Sequence, residues 1–244
     1  MPQRPGLFRG LVRDPAHGAL PALLVILTVA TGVIDAVSVL ALGRVFVANM
    51  TGNVVFLGFA LAGAPGFALL ASLAALVGFL AGAWLGGELV HRIPADRPRL
   101  LTVTCAVECV LVAVALVVAA VTTVEPGNTS AVLVAACAAL AMGAQNAVAR
   151  RLAVPDLTTT VLTMTLTGLA ADLRTGHRAG AARRLLAVTA MFAGAVVGAL
   201  LVLHVGVPAG LGLVLVLLAA ATSGGALSGR RSRRPVAPDR KDAP

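Results

Sequence analysis

The sequence predicts an all-α membrane protein: six transmembrane helices plus two short re-entrant or broken helices, arranged as two inverted-topology repeats. Three observations carry that expectation. The first is composition, with 59% of 244 residues hydrophobic and only 12% charged. Soluble domains run at ~45–50% apolar and ~25% charged, and disordered or fibrous chains need polar or periodic sequences. The second is the placement of arginine between the apolar runs. The third is an echo of the first half in the second.

A bilayer-crossing helix needs ~20 mostly apolar residues. Six runs qualify, at about 19–43, 65–90, 100–123, 130–149, 185–205 and 210–227. The first exceeds the h-region of a signal peptide and reads as a retained span. Two further runs, 54–63 and 161–173, are short. At ~1.5 Å per residue each reaches about halfway across the apolar core.

Arginine decides whether the short runs cross. If they do not, and the N-terminus is cytoplasmic, 18 of the 19 basic residues fall inside and only Arg44 falls outside. If both cross, the partition drops to 13 and 6. The positive-inside rule selects the first arrangement, with both termini cytoplasmic in the cell (inner) membrane. The chain then divides into a cytoplasmic N-terminal segment (1–18), one transmembrane domain (19–227) and a basic cytoplasmic tail (228–244). The net charge of +9 belongs to this topology, and no polar folded domain is present to carry nucleic-acid binding.

The repeats fall at about 19–123 and 130–227. Gly32-x-x-Asp35-Ala36-Val37 matches Gly143-x-x-Asn146-Ala147-Val148 at an offset of 111. Thr51 matches Thr163, and Ala81-Gly82-Ala83-x-x-Gly86 matches Ala193-Gly194-Ala195-x-x-Gly198, both at 112. Each half reads span, short segment, span, span. Three crossings are an odd number, so the second half enters from the opposite face, as in many transporters and channels.

Gly32-Val33-Ile34-Asp35-Ala36, followed by Phe46-Val47-Ala48-Asn49-Met50-Thr51-Gly52-Asn53, resembles the N-terminal signature of the YoaK family. These are small bacterial membrane proteins defined by a domain of unknown function. Ala141-Met142-Gly143-Ala144-Gln145-Asn146-Ala147, with Arg150, Arg151, Pro155 and the Thr-rich stretch after it, is similar to that family's second signature. One departure is Met164, where the pattern places Gly. The resemblance covers about residues 19–227 and implies fold and location without a substrate.

Asp35 is the leading candidate for chemistry. A carboxylate within a span costs roughly 2.5–3.5 kcal/mol on insertion scales and faces the bundle interior. It reads either as a proton or cation site or as an acceptor for backbone donors of the adjacent broken segment. Arg44 is a candidate ion-pair partner, although a continuous helix would separate the two by ~13 Å. Asn49, Thr51 and Asn53 flank the start of the first short helix. Thr51 and Asn53 are N-cap residue types. They read as a solute contact at a half-helix terminus or as caps that close their own helix. The partners expected across the pseudo-twofold are Gln145, Asn146, Thr158, Thr159, Thr160, Thr163 and Thr165. Glu108 lies well inside the third span and reads as a pathway residue or as an ion-pair partner. Glu88 and Asp172, near cytoplasmic Arg clusters, and His204, near the outer end of the fifth span, read as solvated or interfacial.

Gly78, Gly82 and Gly86 in the second span, with Gly194 and Gly198 in the fifth, form small-residue stripes that let helices approach closely, within the chain or between copies. Cys105, Cys109 and Cys137 are odd in number and lie in apolar runs, so neither a disulfide framework nor a metal site is expected. No phosphate loop, zinc motif or nucleophile elbow is present, and no cofactor or enzyme activity is expected. The expected partners are the lipid bilayer, a small solute or proton, and a second copy of the chain in a homo-oligomer. The reading that follows is a small-solute transporter or channel-like permease. The alternative is a non-transporting scaffold that binds a partner or lipid.

Overall fold

The computed structural model describes residues 18–94, 96–154 and 162–232, with the last two as backbone only. The described residues form eight helices and no strand. Six are long: α1 (Leu20–Ala41), α3 (Leu69–Arg92), α4 (Arg97–Val121), α5 (Thr129–Leu152), α7 (Arg178–His204) and α8 (Val207–Ser232). Two are short: α2 (Met50–Leu61) and α6 (Leu162–Thr175). The long helices run 22 to 27 residues and are apolar enough to cross a membrane. At 12 and 14 residues, α2 and α6 rise only ~18–21 Å, against a core of ~30 Å.

Three boundaries differ from the sequence expectation. α2 begins at Met50, so Thr51, Gly52 and Asn53 are helical and Asn49 is the N-cap residue. α7 begins at Arg178 and takes Arg183 and Arg184 into its first turns. α8 continues to Ser232, past the expected start of the tail. Two caps follow ordinary chemistry: Asp96 accepts from the Arg99 N–H (3.0 Å) at α4, and Asn128 accepts from the Ala131 N–H (2.8 Å) at α5.

Burial sorts the long helices into a centre and a rim. Of the most apolar stretch of each, α1 is 72% buried and α5 61%, whereas the other four are 22–33% buried. The rim helices turn Trp84, Val117, Phe192 and Val216 outward. Those faces contact lipid, which is as apolar as they are.

Two seams hold centre to rim, both built on backbone contact. A Cβ at Gly78 would lie 2.8 Å from the Ala136 carbonyl oxygen, one at Gly82 would strike Leu140, and one at Gly86 would lie 2.7 Å from the Ala144 oxygen. The register ascends on both helices, so α3 and α5 run parallel. Gly194 and Gly198 meet Val29 and Val33 in the same way, so α1 and α7 are parallel too. From the other side, Gly32 abuts Met191 and Ala195, while Gly143 abuts Phe79 and Ala83. These pairs repeat one another at the offsets of 111 and 112 seen in the sequence. α8 is antiparallel to α1 and α4, with Gly224 against Leu23, Gly210 against Val37, and Gly225 against Thr102. Arg92, Arg97, Arg150, Arg178 and Arg230 therefore share one end of the bundle, and Arg44 lies at the other.

Candidate functional site

The link between α1 and α2 is a buried polar region in which two side chains, Asp35 and Asn53, bond the backbone. Gly43 and Arg44 take left-handed backbone angles (φ 94° and 58°) and reverse the chain after α1. Val45 and Val47 then return to full burial. Their backbone enters an apolar environment without helical partners, and such groups must be satisfied locally. Asp35 does part of this. Its Oδ1 accepts from the Ala48 N–H at 3.4 Å, and its Oδ2 accepts from the Asn49 side-chain amide. Asn53, one turn into α2, serves Phe46. Its Oδ1 accepts from the Phe46 N–H at 2.8 Å, and its Nδ2 donates to the Phe46 carbonyl.

This geometry corrects the expected capping. Thr51 is exposed, and Asn53 bonds the incoming loop. Asn49 holds the N-cap position without a side-chain cap bond, because its amide is committed to Asp35. Asp35 is thereby held beside the first turn of α2, where a negative charge is favoured by the helix dipole. The Asp35–Arg44 pair does not form: the Arg44 guanidinium lies over the Phe67 ring, 5.6 Å from its centroid. Phe67 belongs to a cluster with Phe46, Phe56 and Phe59, centroids 5.2–6.3 Å apart.

The matching residues of the second half make other contacts among the described residues. Asn146 is half-buried and donates to the Met142 carbonyl of its own helix (2.9 Å). Thr163 is exposed, and Thr165 is buried. Thr158, Thr159 and Thr160 lie outside the described residues. Gln145 is buried and reaches across to α1, donating to the Thr31 hydroxyl at 3.1 Å, but its Oε1 accepts nothing. Glu108, close to the midpoint of α4, is fully buried, and neither carboxyl oxygen has a partner. Ser72, also buried, leaves its hydroxyl unpaired.

The expected residues thus separate into two groups. Asp35, Asn49 and Asn53 form one closed set within residues 35–53. Gln145 and Glu108 lie on the interior faces of α5 and α4 with acceptors to spare. Thr31 was missed as part of this picture. Its signal was present, as one of few polar positions in the first apolar run, but only the packing of α5 against α1 makes it the Gln145 acceptor. Cys105, Cys109 and Cys137 are free thiols. Among the described residues, no three His, Cys, Asp or Glu gather as a metal site would need.

Residues 23–223 match a protein family described as "Protein of unknown function (DUF1275)". The chain belongs to the DUF1275 family. Both signature stretches, at 32–53 and 141–147, fall inside the matched region. The chain is also 32% identical over 152 residues to the UPF0700 transmembrane protein YoaK of Bacillus subtilis (strain 168). That match covers 62% of this chain and 66% of the relative, just under two thirds of the relative's length. No solved structure matches. This family member is accordingly a multi-pass membrane protein of the YoaK kind, and the six apolar helices of its structure place it in contact with a lipid bilayer.

Proposed function

We propose that the chain is a small permease that passes a small solute through the middle of its bundle and carries out no catalysis. The observation that carries this reading is Glu108, a carboxyl group halfway along a membrane span, fully buried, with no partner for either oxygen. An unpaired acid at that depth costs several kcal/mol in order of magnitude, and such residues mark ion, proton or substrate paths. Gln145 adds a second unpaired acceptor. Asp35, Asn49 and Asn53 then shape the broken element beside the path, and Thr51, Asn146 and Thr163 are peripheral to it.

The reciprocal glycine seams support an inverted-topology repeat. Equivalent helices of the two halves run in opposite senses, and in transporters such repeats rock about a central site. The gathering of Arg residues at one end supports cytoplasmic termini in the cell membrane. One observation favours the scaffold reading instead: both carboxylate oxygens of Asp35 are already spent within the chain.

Cysteine accessibility separates the two readings. In a background with Cys105, Cys109 and Cys137 replaced, single cysteines at 108 and 145 should react with a water-soluble thiol reagent in intact membranes. Positions 84 and 192, which face lipid, should stay unlabelled. Complete protection of 108 and 145 would leave the scaffold as the better account.

A further inference from the structure

The Arg-rich end of the bundle contains a groove between the start of α4 and the end of α8, with a volume of about 250 Å³. Arg99 and Thr102 line it from α4, and Gly225, Ala226, Gly229 and Arg230 line it from α8. We propose that it binds the phosphate group of an anionic lipid.

The groove exists because α8 presents almost no side chain there. At Gly225 the helices touch: a Cβ would lie 2.5 Å from the Thr102 hydroxyl. One turn later, a Cβ at Gly229 would meet only Pro98, at 3.7 Å, so the helices have begun to separate. Arg99 and Arg230 stand exposed on the two walls. Neither guanidinium forms an ion pair with another described residue, although ion pairs occur elsewhere at this end, as between Arg92 and Glu88 (2.7 Å). Asp96 also lines the groove, but its carboxylate caps α4 through the Arg99 N–H. Two guanidinium groups against one carboxylate leave a net positive site.

A planar guanidinium offers paired donors that match phosphate oxygens, and a helix from each side supplies one. A phosphate could arrive on a lipid or free in solution. The location favours the lipid. Both helices cross the membrane, the groove is at their common end, where headgroups lie, and Leu227, beside Ala226, is 58% exposed for acyl chains to cover. Basic pockets between spans recognise anionic headgroups in this way.

The test uses the full chain purified in detergent, with lipid retention read by native mass spectrometry and affinity by titration. Phosphatidylglycerol should bind and raise the melting temperature, and phosphatidylcholine should do neither. Each basic residue near a membrane surface is worth roughly 1 kcal/mol, or about fivefold in affinity. Arg99→Gln or Arg230→Gln should therefore weaken phosphatidylglycerol binding about fivefold, and the double variant about 25-fold. Gly229→Leu fills the groove and keeps both charges. It should lose the lipid while melting as the unaltered chain does in phosphatidylcholine. Equal binding of the two lipids, unchanged affinity in the double variant, or unchanged affinity in Gly229→Leu would each overturn the proposal. Displacement of the lipid by inorganic phosphate at the same concentration would also overturn it, in favour of a free-anion site. None of these outcomes depends on whether a solute is transported.

Discussion

The two short helices occupy matching places in the chain, 112 residues apart, and among the described residues different contacts secure them. α2 is held at its entry. Asp35 and Asn53 bond the loop that leads into it, and Phe46 and Phe56 stack with centroids 5.7 Å apart. α6 is held along its length against α7, where Asp172 meets the Arg184 guanidinium at 3.3 Å. The position that is Phe56 in α2 is Gly168 in α6, and a side chain there would collide with that guanidinium. Likewise, Gly52 leaves room for the Phe46 ring, 2.7 Å from where a Cβ would sit, while its counterpart Met164 is exposed. The departure at Met164 from the family pattern thus has a local reason: among the described residues, no ring packs there. A repeated pattern preserves where an element lies, and the residues around it decide what fastens it.

The comparison breaks most completely if α6, unlike α2, crosses the membrane. Reporter fusions in the 62–68 and 122–128 links should report one side. Fusions in the 93–96 link, at 176–177 and in the tail should report the other. A tail on the same side as the 62–68 link would refute the six-span arrangement and the equivalence of the halves.

Next in size are the glycine seams, where the halves should behave alike. Gly82→Val and Gly194→Val each drive a side chain into a carbonyl of the facing helix. Overpacking of this kind costs about 3 kcal/mol or more where backbone cannot yield. Both variants should fail to accumulate as a single peak in fluorescence-detected size exclusion. Tolerance of one but not the other would mean that the seams are unequal.

The polar positions should then separate the halves. Asp35→Ala leaves the buried Ala48 N–H and the half-buried Asn49 amide without this acceptor, at about 2 kcal/mol for the two. Thr163→Ala, at an exposed position of the second half, should stay within about 0.5 kcal/mol. Thermal melting in detergent measures both. Equal losses would place Thr163 at the same rank as Asp35.

The smallest effect is at the residues that differ between the short helices. Gly52→Ala presses on the Phe46 ring and should cost about 1–2 kcal/mol. Met164→Ala, at an exposed position, should stay within about 0.5 kcal/mol. A larger loss at 164 would indicate that α6 is covered there by something other than lipid or water.

Sequence alone was enough for the six spans, the two short segments and the position of the glycine stripes, while the packing decided that they join α3 to α5 and α7 to α1. Span length follows from bilayer thickness, and Gly78, Gly82, Gly86, Gly194 and Gly198 could mark close approach because a missing side chain is visible in the letters. The buried acids at 35 and 108 were also legible as exceptions in apolar runs. What they do was not. Asp35 and Glu108 look alike in sequence, each a carboxylate among aliphatic residues. Their difference arises because the chain after α1 folds back to give Asp35 two donors, while none of the helices packed around α4 turns a donor toward Glu108. A hydrogen bond requires a partner within about 3 Å. The partners of Gln145 and Asn53 lie on another helix and in a loop, so the packing of α1 to α8 decided which polar groups were spent on structure and which were left open.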